Sequence, residues 1–282
     1  MYLLADIISF VAYRLIGYRR RVVRDNLAAC FPELSDSERR AIERRYYRHL
    51  GDLVVEFIYG LFATPPQLRR RYHFVNRELL DRYYEQGRSV ILMAGHMGNW
   101  EYMVCSLGMQ VRHHGIGVGK ALESRLVGPF VARRRVRYGT QVVYSDTVRD
   151  EVAYFDRHHV PCALMMLSDQ SPTNPHRSYW TTFLGRDTAF LYGAEHFARQ
   201  YDYPVLYYSV DKTRRGHYTV TFSTLCDRPT EVGQYSIVEE YARRLEADIR
   251  RRPELWLWSH RRWKLTRQGR IMKDGTLHVI SE

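Results

Sequence analysis

The stretch ILMAGHMGNWEYM, residues 91–103, places His96 in a loop flanked by Gly95 and Gly98, just after an apolar run, with Glu101 five residues further on. An imidazole with a carboxylate partner can take a proton from a hydroxyl while the carboxylate fixes the tautomer and stabilises the imidazolium that forms. Five residues of continuous helix would turn the two side chains roughly 140° apart, so the pair can work only if the chain changes course between them. SVILMAG reads as a buried strand ending near Gly95, and Asn99 is a suitable N-cap for a helix beginning at Trp100. His96 then lies on a loop at the carboxyl end of a strand, where open α/β sheets place ligands. Glu101 falls in the first helical turn, where the helix dipole favours an ionised carboxylate. With no serine or cysteine beside the pair, the hydroxyl would belong to a substrate. From spacing alone two readings stand: a general-base pair, or a structural histidine in a turn.

The elements that must hold this stretch follow from the rest of the pattern. Ser35 and Glu38 form a capping-box signature ahead of a long helical pattern running to about Leu61, whose apolar positions Ile42, Tyr46, Leu50, Leu53, Val54, Phe57 and Leu61 should pack on a core. Short apolar strands and helices then alternate: SVILMAG, a helix over NWEYMVCSLGMQV, the strand HHGIGVGK, an Arg-rich helix from about Arg125 to Tyr138, the strand TQVVYS, a helix over 148–157 and the strand PCALMMLSDQ. DTAFLYGAEHFARQ reads as a helix, YPVLYYSVDK and HYTVTFSTL as an antiparallel hairpin, and SIVEEYARRLEADIRRRPE as a helix closed by Pro253. The expected fold is α/β, a mixed but mostly parallel central sheet flanked by helices, with the hairpin supplying a mixed edge. One domain over residues 1–282 is expected.

Charge narrows the partners. The formal net charge is +12, and all but four of the 43 basic residues are arginine, which binds phosphate and carboxylate bidentately. Nucleic acid, anionic lipid and an acidic protein all fit. Basic charge and 22 tyrosines would suit nucleic-acid binding, but that reading leaves the apolar N-terminus unexplained. Residues 1–24 open with about 16 mostly apolar residues, short of the roughly 20 a membrane span needs, followed by Arg19, Arg20, Arg21 and Arg24. They read as an interfacial amphipathic helix or as a core helix with a basic turn. Arg133, Arg134, Arg135 and Arg137 suit a substrate phosphate or a solvated helix face. Asp169, at the end of the second buried strand, orders an arginine or acceptor if the strands are parallel neighbours, or caps a turn. Trp256, Trp258 and Trp263 interleave with Arg261, Arg262 and Lys264 and suit a membrane interface or the edge of a core. The cysteines, without C-x-x-C spacing, indicate reduced buried thiols. No P-loop, nucleophile elbow or metal-ligand spacing is present, and neither metal nor cofactor is expected.

GHMGNWE resembles the H-x-x-x-x-(D/E) motif of glycerolipid acyltransferases, in the G-H-x-G-N-W-E form of the bacterial lipid A biosynthesis (late) acyltransferases. YRRRVVRDNLAACFPELSDSE, LMMLSDQSP and LWLWSHRRWK resemble further blocks of that family, in family order over nearly the whole chain. The resemblance implies O-acyl transfer from an acyl carrier protein or CoA thioester to a hydroxyl of a lipid A precursor. His96 would be the general base and Glu101 its partner, with Gly98, Asn99, Arg137 and Asp169 against substrate. It also implies a place at the cytoplasmic face of the bacterial inner membrane; family members commonly carry a longer apolar N-terminal anchor, whereas this sequence opens within what would be its last part, so a peripheral or monotopic enzyme is expected. Nucleic acid is not an expected partner. Lysophospholipid, amino-lipid and mannoside acceptors remain open on the same motif.

Overall fold

The computed structural model describes residues 1–119, 124, 128–272 and 274–280. Helices α1 (Tyr2–Phe10), α2 (Arg20–Cys30) and α3 (Asp36–Phe62) lead, followed by α4 (Pro65–Arg71), β1 (Tyr72–Phe74) and α5 (Glu78–Glu85). Strand and helix then alternate through β2 (Val90–Ala94), α6 (Trp100–Gln110), β3 (His114–Gly119), α7 (Gly128–Arg135), β4 (Gln141–Tyr144), α8 (Val148–Arg157) and β5 (Cys162–Leu167). The hairpin β6 (Tyr179–Phe183) and β7 (Arg186–Phe190), helix α9 (Gly193–Tyr201), the hairpin β8 (Val205–Arg214) and β9 (His217–Cys226), and α10 (Ser236–Arg251) come next. Three short strands, β10 (Leu265–Thr266), β11 (Gly269–Ile271) and β12 (Leu277–Val279), end the chain. Two compact units result: Met1–Leu53, Ser168–Glu195 and Gly233–Glu282 form the first, and Val54–Leu167 with His196–Val232 form the second.

The second unit is built on a seven-stranded sheet of order β1-β9-β8-β2-β5-β3-β4. Every neighbouring pair is parallel except β8 with β9, so the mixed, mostly parallel sheet is as expected. All five residues of β2 are buried, which its unbroken apolar run requires of a central parallel strand. The hairpin does not form the edge, because β1 pairs outside β9. Its antiparallel step therefore lies within the sheet. Residues 125–127 of the expected Arg-rich helix lie outside the described residues; α7 itself ends at Arg135.

The first unit corrects two expectations. DTAF is strand, not helix: β6 and β7 pair antiparallel across Leu184 and Gly185, both at positive φ (51° and 73°). That two-residue turn matches the twist of the flanking strands, and Tyr-Trp-Thr-Thr-Phe is a strand-forming run. Nor is 1–24 one helix. A π-helical turn over Val11–Leu15 follows α1, and Gly17 and Arg19 take positive φ before α2 begins. Arg20 and Arg24 pair with the buried carboxylate of Glu43 at 2.9 and 3.1 Å, and Arg19 donates to Ser259 O. Arg21 stays exposed. On α1 only Ala5 is buried, leaving Leu3, Ile7 and Phe10 exposed. Among the described residues no helix is long and apolar enough to cross a membrane.

Apart from residues 164–167, which belong to β5 of the second unit, the resembling blocks outside GHMGNWE meet in this unit. Asn26 donates to the carbonyls of Trp258 and His260, Phe31 packs on Trp258, and Ser171 N donates to His260 Nε2. Trp256 and Trp258 are buried, so these aromatics form core rather than an outer surface.

In α3 the Ser35–Glu38 capping box forms as its spacing indicates. Ile42, Tyr46 and Leu61 are buried, whereas Val54 is 40% exposed. Val55 and Glu56 face inward at that point, which turns Val54 outward on a helix of 3.6 residues per turn.

Within the second unit α6 touches the backbone that follows α7. A Cβ at Gly108 would overlap Gly139 and Thr140 main-chain atoms, and Gly108 N donates to Thr140 Oγ1 at 2.9 Å. Backbone on both sides cannot yield cheaply, so Gly108→Ala should destabilise the protein by about 1–3 kcal/mol. A fall in the urea midpoint without a change in slope would register this, and an unchanged midpoint would refute it.

Candidate functional site

The strand β2 ends at Ala94 and α6 starts at Trp100, leaving Gly95 to Asn99 as the loop. Met97 N reaches back to Gly95 O at 2.7 Å, tightening the turn around His96. Gly98 holds φ at +58°, and a Cβ there would overlap the side chain of Val210, so the loop requires glycine twice over. Asn99 caps α6: its Oδ1 accepts from Tyr102 N at 2.9 Å, satisfying one of the amides a helix start leaves open.

This turn delivers His96 and Glu101 to one cavity of about 170 Å³. Trp100, Val104, Gly117, Val118, Gly119, Arg135, Val142, Met165 and Leu167 complete its lining. The polar groups therefore stand at the carboxyl ends of parallel neighbours β2, β5 and β3, over a mostly apolar wall. The imidazole packs edge-on against Trp100, with ring centroids 5.2 Å apart.

Arg135 holds Glu101 with two parallel bonds, Nε to Oε2 at 3.0 Å and a terminal nitrogen to Oε1 at 2.7 Å. Both side chains are about one-fifth exposed. Bidentate geometry of this kind fixes a carboxylate in direction as well as charge. A carboxylate offers about four lone-pair sites, so one outward lone pair on each oxygen remains for a proton donor such as an imidazole.

The other expected residues lie elsewhere. Gly98 and Asn99 form the frame of the loop and not the cavity lining; Asn99 is 1% exposed, with Nδ2 donating to Glu56 Oε2 at 2.8 Å. The Arg137 guanidinium is spent on the carbonyls of Gly60, Ala63 and Arg134, where it satisfies acceptors at the end of α3. Asp169 belongs to the first unit, is buried, and accepts from Trp256 Nε1 at 2.8 Å. In that same core, burial pulls the Arg262 guanidinium down to about 10 against the opposing pull of Asp169.

Arg135 is the site residue that sequence reasoning left undistinguished among its neighbours. A signal was available: it lies four residues beyond Val131, the buried residue in the middle of α7, and therefore on the same face. Among the described residues, no group of three or more His, Cys, Asp or Glu side chains could hold a metal ion.

Residues 2–265 match the family model for bacterial lipid A biosynthesis acyltransferase. The chain is similar to the lipid A biosynthesis palmitoleoyltransferase of Escherichia coli (strain K12), at 24% identity over 91% of this chain and 82% of the relative. It is 21% identical to a lipid A biosynthesis acyltransferase of Haemophilus influenzae, over 88% of this chain and 79% of that one. With the lipid A biosynthesis lauroyltransferase of Escherichia coli (strain K12) it shares 27% identity over 42% of its own length, spanning 38% of that protein. A match over nearly the whole chain shows the family: this protein belongs to the bacterial lipid A biosynthesis acyltransferases and is an O-acyltransferase.

Proposed function

We propose that the protein transfers a fatty acyl chain from an acyl carrier protein or CoA thioester to a hydroxyl of a lipid A precursor. The observation that carries this reading is the convergence of His96, Glu101 and Arg135 in one apolar-walled cavity at the sheet's carboxyl edge. His96 takes the proton of the acceptor hydroxyl as its oxygen attacks the thioester carbonyl. The carbonyl π electrons move to oxygen, giving a tetrahedral oxyanion. Collapse re-forms the carbonyl, breaks the C–S bond and releases a thiolate, to which the imidazolium returns its proton. Glu101 favours the imidazolium electrostatically and sets the ring's orientation. Arg135, already oriented by Glu101, is the cation in the lining best suited to stabilise the oxyanion. Val104, Val118, Val142, Met165 and Leu167 suit the donor's acyl chain.

A basic surface suits an acidic carrier protein. The exposed Leu3, Ile7 and Phe10 of α1 support a peripheral seat at the membrane, on the cytoplasmic face where acyl thioesters are supplied.

Incubation with an acyl carrier protein thioester and a phosphorylated glucosamine lipid, followed by mass spectrometry, tests the reaction; absence of acyl transfer to any glycolipid would refute it. His96→Ala should lower kcat about 10²- to 10⁴-fold, and full activity in that variant would eliminate the base. Arg135→Lys keeps the charge but loses the fork, and should lower kcat by at least about 10-fold while the donor KM moves little. A methyl at Gly117 would meet Met165 Cε at 3.5 Å and Val142 Cγ2 at 4.0 Å, ordinary contacts that permit folding. Competition between thioesters of different length should therefore show Gly117→Ala shifted toward shorter chains, and an unchanged preference would place the chain elsewhere.

A further inference from the structure

One acidic group of the second unit has no part in that scheme, yet it touches the site's frame. Glu56, on α3, is fully buried at 0% exposure. Burying a carboxylate is costly unless donors meet it, and an apolar residue of similar volume is often no worse for stability. Packing alone therefore gives no reason for a glutamate here. Its Oε2 accepts from Asn99 Nδ2 at 2.8 Å and from the Tyr218 hydroxyl at 2.8 Å, and both partners are themselves buried.

This arrangement settles which way Asn99 points. Its amide nitrogen must face the carboxylate, since the reverse would set oxygen against oxygen. That turns Oδ1 to Tyr102 N and closes the cap of α6. The next turn of α3 grips the opposite side of the site. Phe57 lies beneath the Arg135 guanidinium at 5.5 Å, Leu61 O accepts from Arg134 Nε, and Gly60 and Ala63 carbonyls hold Arg137. Residues 56–63 thus contact both the helix that carries Glu101 and the one that carries Arg135.

We propose that Glu56 is a positioning residue for acyl transfer: acting through Asn99, it fixes the start of α6 and so the direction in which Glu101 presents its carboxylate. This rests on the acyl-transfer reading above. Reactivity falls steeply with small displacements, a misplacement of about 1 Å costing roughly 100-fold, so the buried bond controls rate without touching substrate.

Kinetics with a dodecanoyl-acyl carrier protein thioester and a phosphorylated glucosamine lipid in mixed micelles test it, with activity referred to folded protein. Glu56→Ala should lower kcat about 10- to 100-fold, with the thioester KM changed less than about 3-fold. Glu56→Gln, whose amide oxygen can still accept from Asn99 and Tyr218, should recover most of the loss. Asn99→Ala should resemble Glu56→Ala, and the double variant should be no slower than the slower single, as expected of residues acting in one chain. An unchanged kcat in folded Glu56→Ala, or losses that multiply in the double variant, would overturn the role. If Glu56→Ala does not fold, Asn99→Asp, which opposes two carboxylates, should be impaired and then rescued by adding Glu56→Gln; failure of that rescue overturns the proposal equally. Absence of acyl transfer by the unsubstituted protein would instead sink the acyl-transfer reading, so the two failures are distinguishable.

Discussion

A carboxylate gripped on both oxygens has its plane and its remaining lone pairs fixed in space, and Glu101 is held in this way. Arg135 takes one direction on each oxygen through a bidentate fork, so the plane of the carboxylate is set by a residue on a different helix. Whatever approaches from the remaining side meets an acceptor of fixed orientation. That fixity has to be inherited from the backbone, which explains why so much of the second unit concerns the ends of α6 and α7. Asn99 closes the first turn of α6, Gly108 lets its last turn lie against residues 139–140, and the carbonyls at the end of α3 hold Arg134 and Arg137. The chemistry needs few side chains; holding them needs many more.

The two units divide the recognisable sequence between them. GHMGNWE lies wholly in the second, at the carboxyl edge of a parallel sheet. The other three blocks meet in the first, apart from residues 164–167 in β5 of the second, and there Asn26, Phe31, Asp169, Ser171, Trp256, Trp258 and His260 come together. Their types fit that purpose. Tryptophan brings large area with one donor to satisfy, and Asp169 and the Pro253 carbonyl accept those donors from Trp256 and Trp258. A buried tryptophan and a cavity-lining histidine can thus be equally distinctive in sequence while answering to different demands.

Much of the site was legible because its signals were local. An apolar run, a glycine-flanked histidine and an asparagine placed to cap the stretch that follows imply strand, loop and capped helix with no knowledge of the rest. What was not legible depended on tertiary partners. Arg135 and Arg137 are two residues apart in an arginine-rich run; spacing from Val131 points to the one that meets Glu101, but only the position of α3 shows that the other caps carbonyls. Glu56 sits among residues whose pattern assigns carboxylates to solvent, and its inward face is set by donors 43 and 162 positions away. The β6–β7 hairpin was obscured for a different reason: Leu184 takes a left-handed conformation that glycine or asparagine would have announced.

The cysteines bear on the chemical compatibility of the fold with a thioester donor. Cys105 stands one helical turn beyond Glu101, and burial, reinforced by the nearby carboxylate, pushes its thiol up to about 11. Cys30 and Cys162 are pushed up to about 12, again chiefly by burial. Thiol exchange proceeds through the thiolate, so these three sulfurs compete poorly for an activated acyl group. If the cavity receives an acyl thioester as proposed above, a protonated thiol at Cys105 would leave the acyl group to an incoming alcohol.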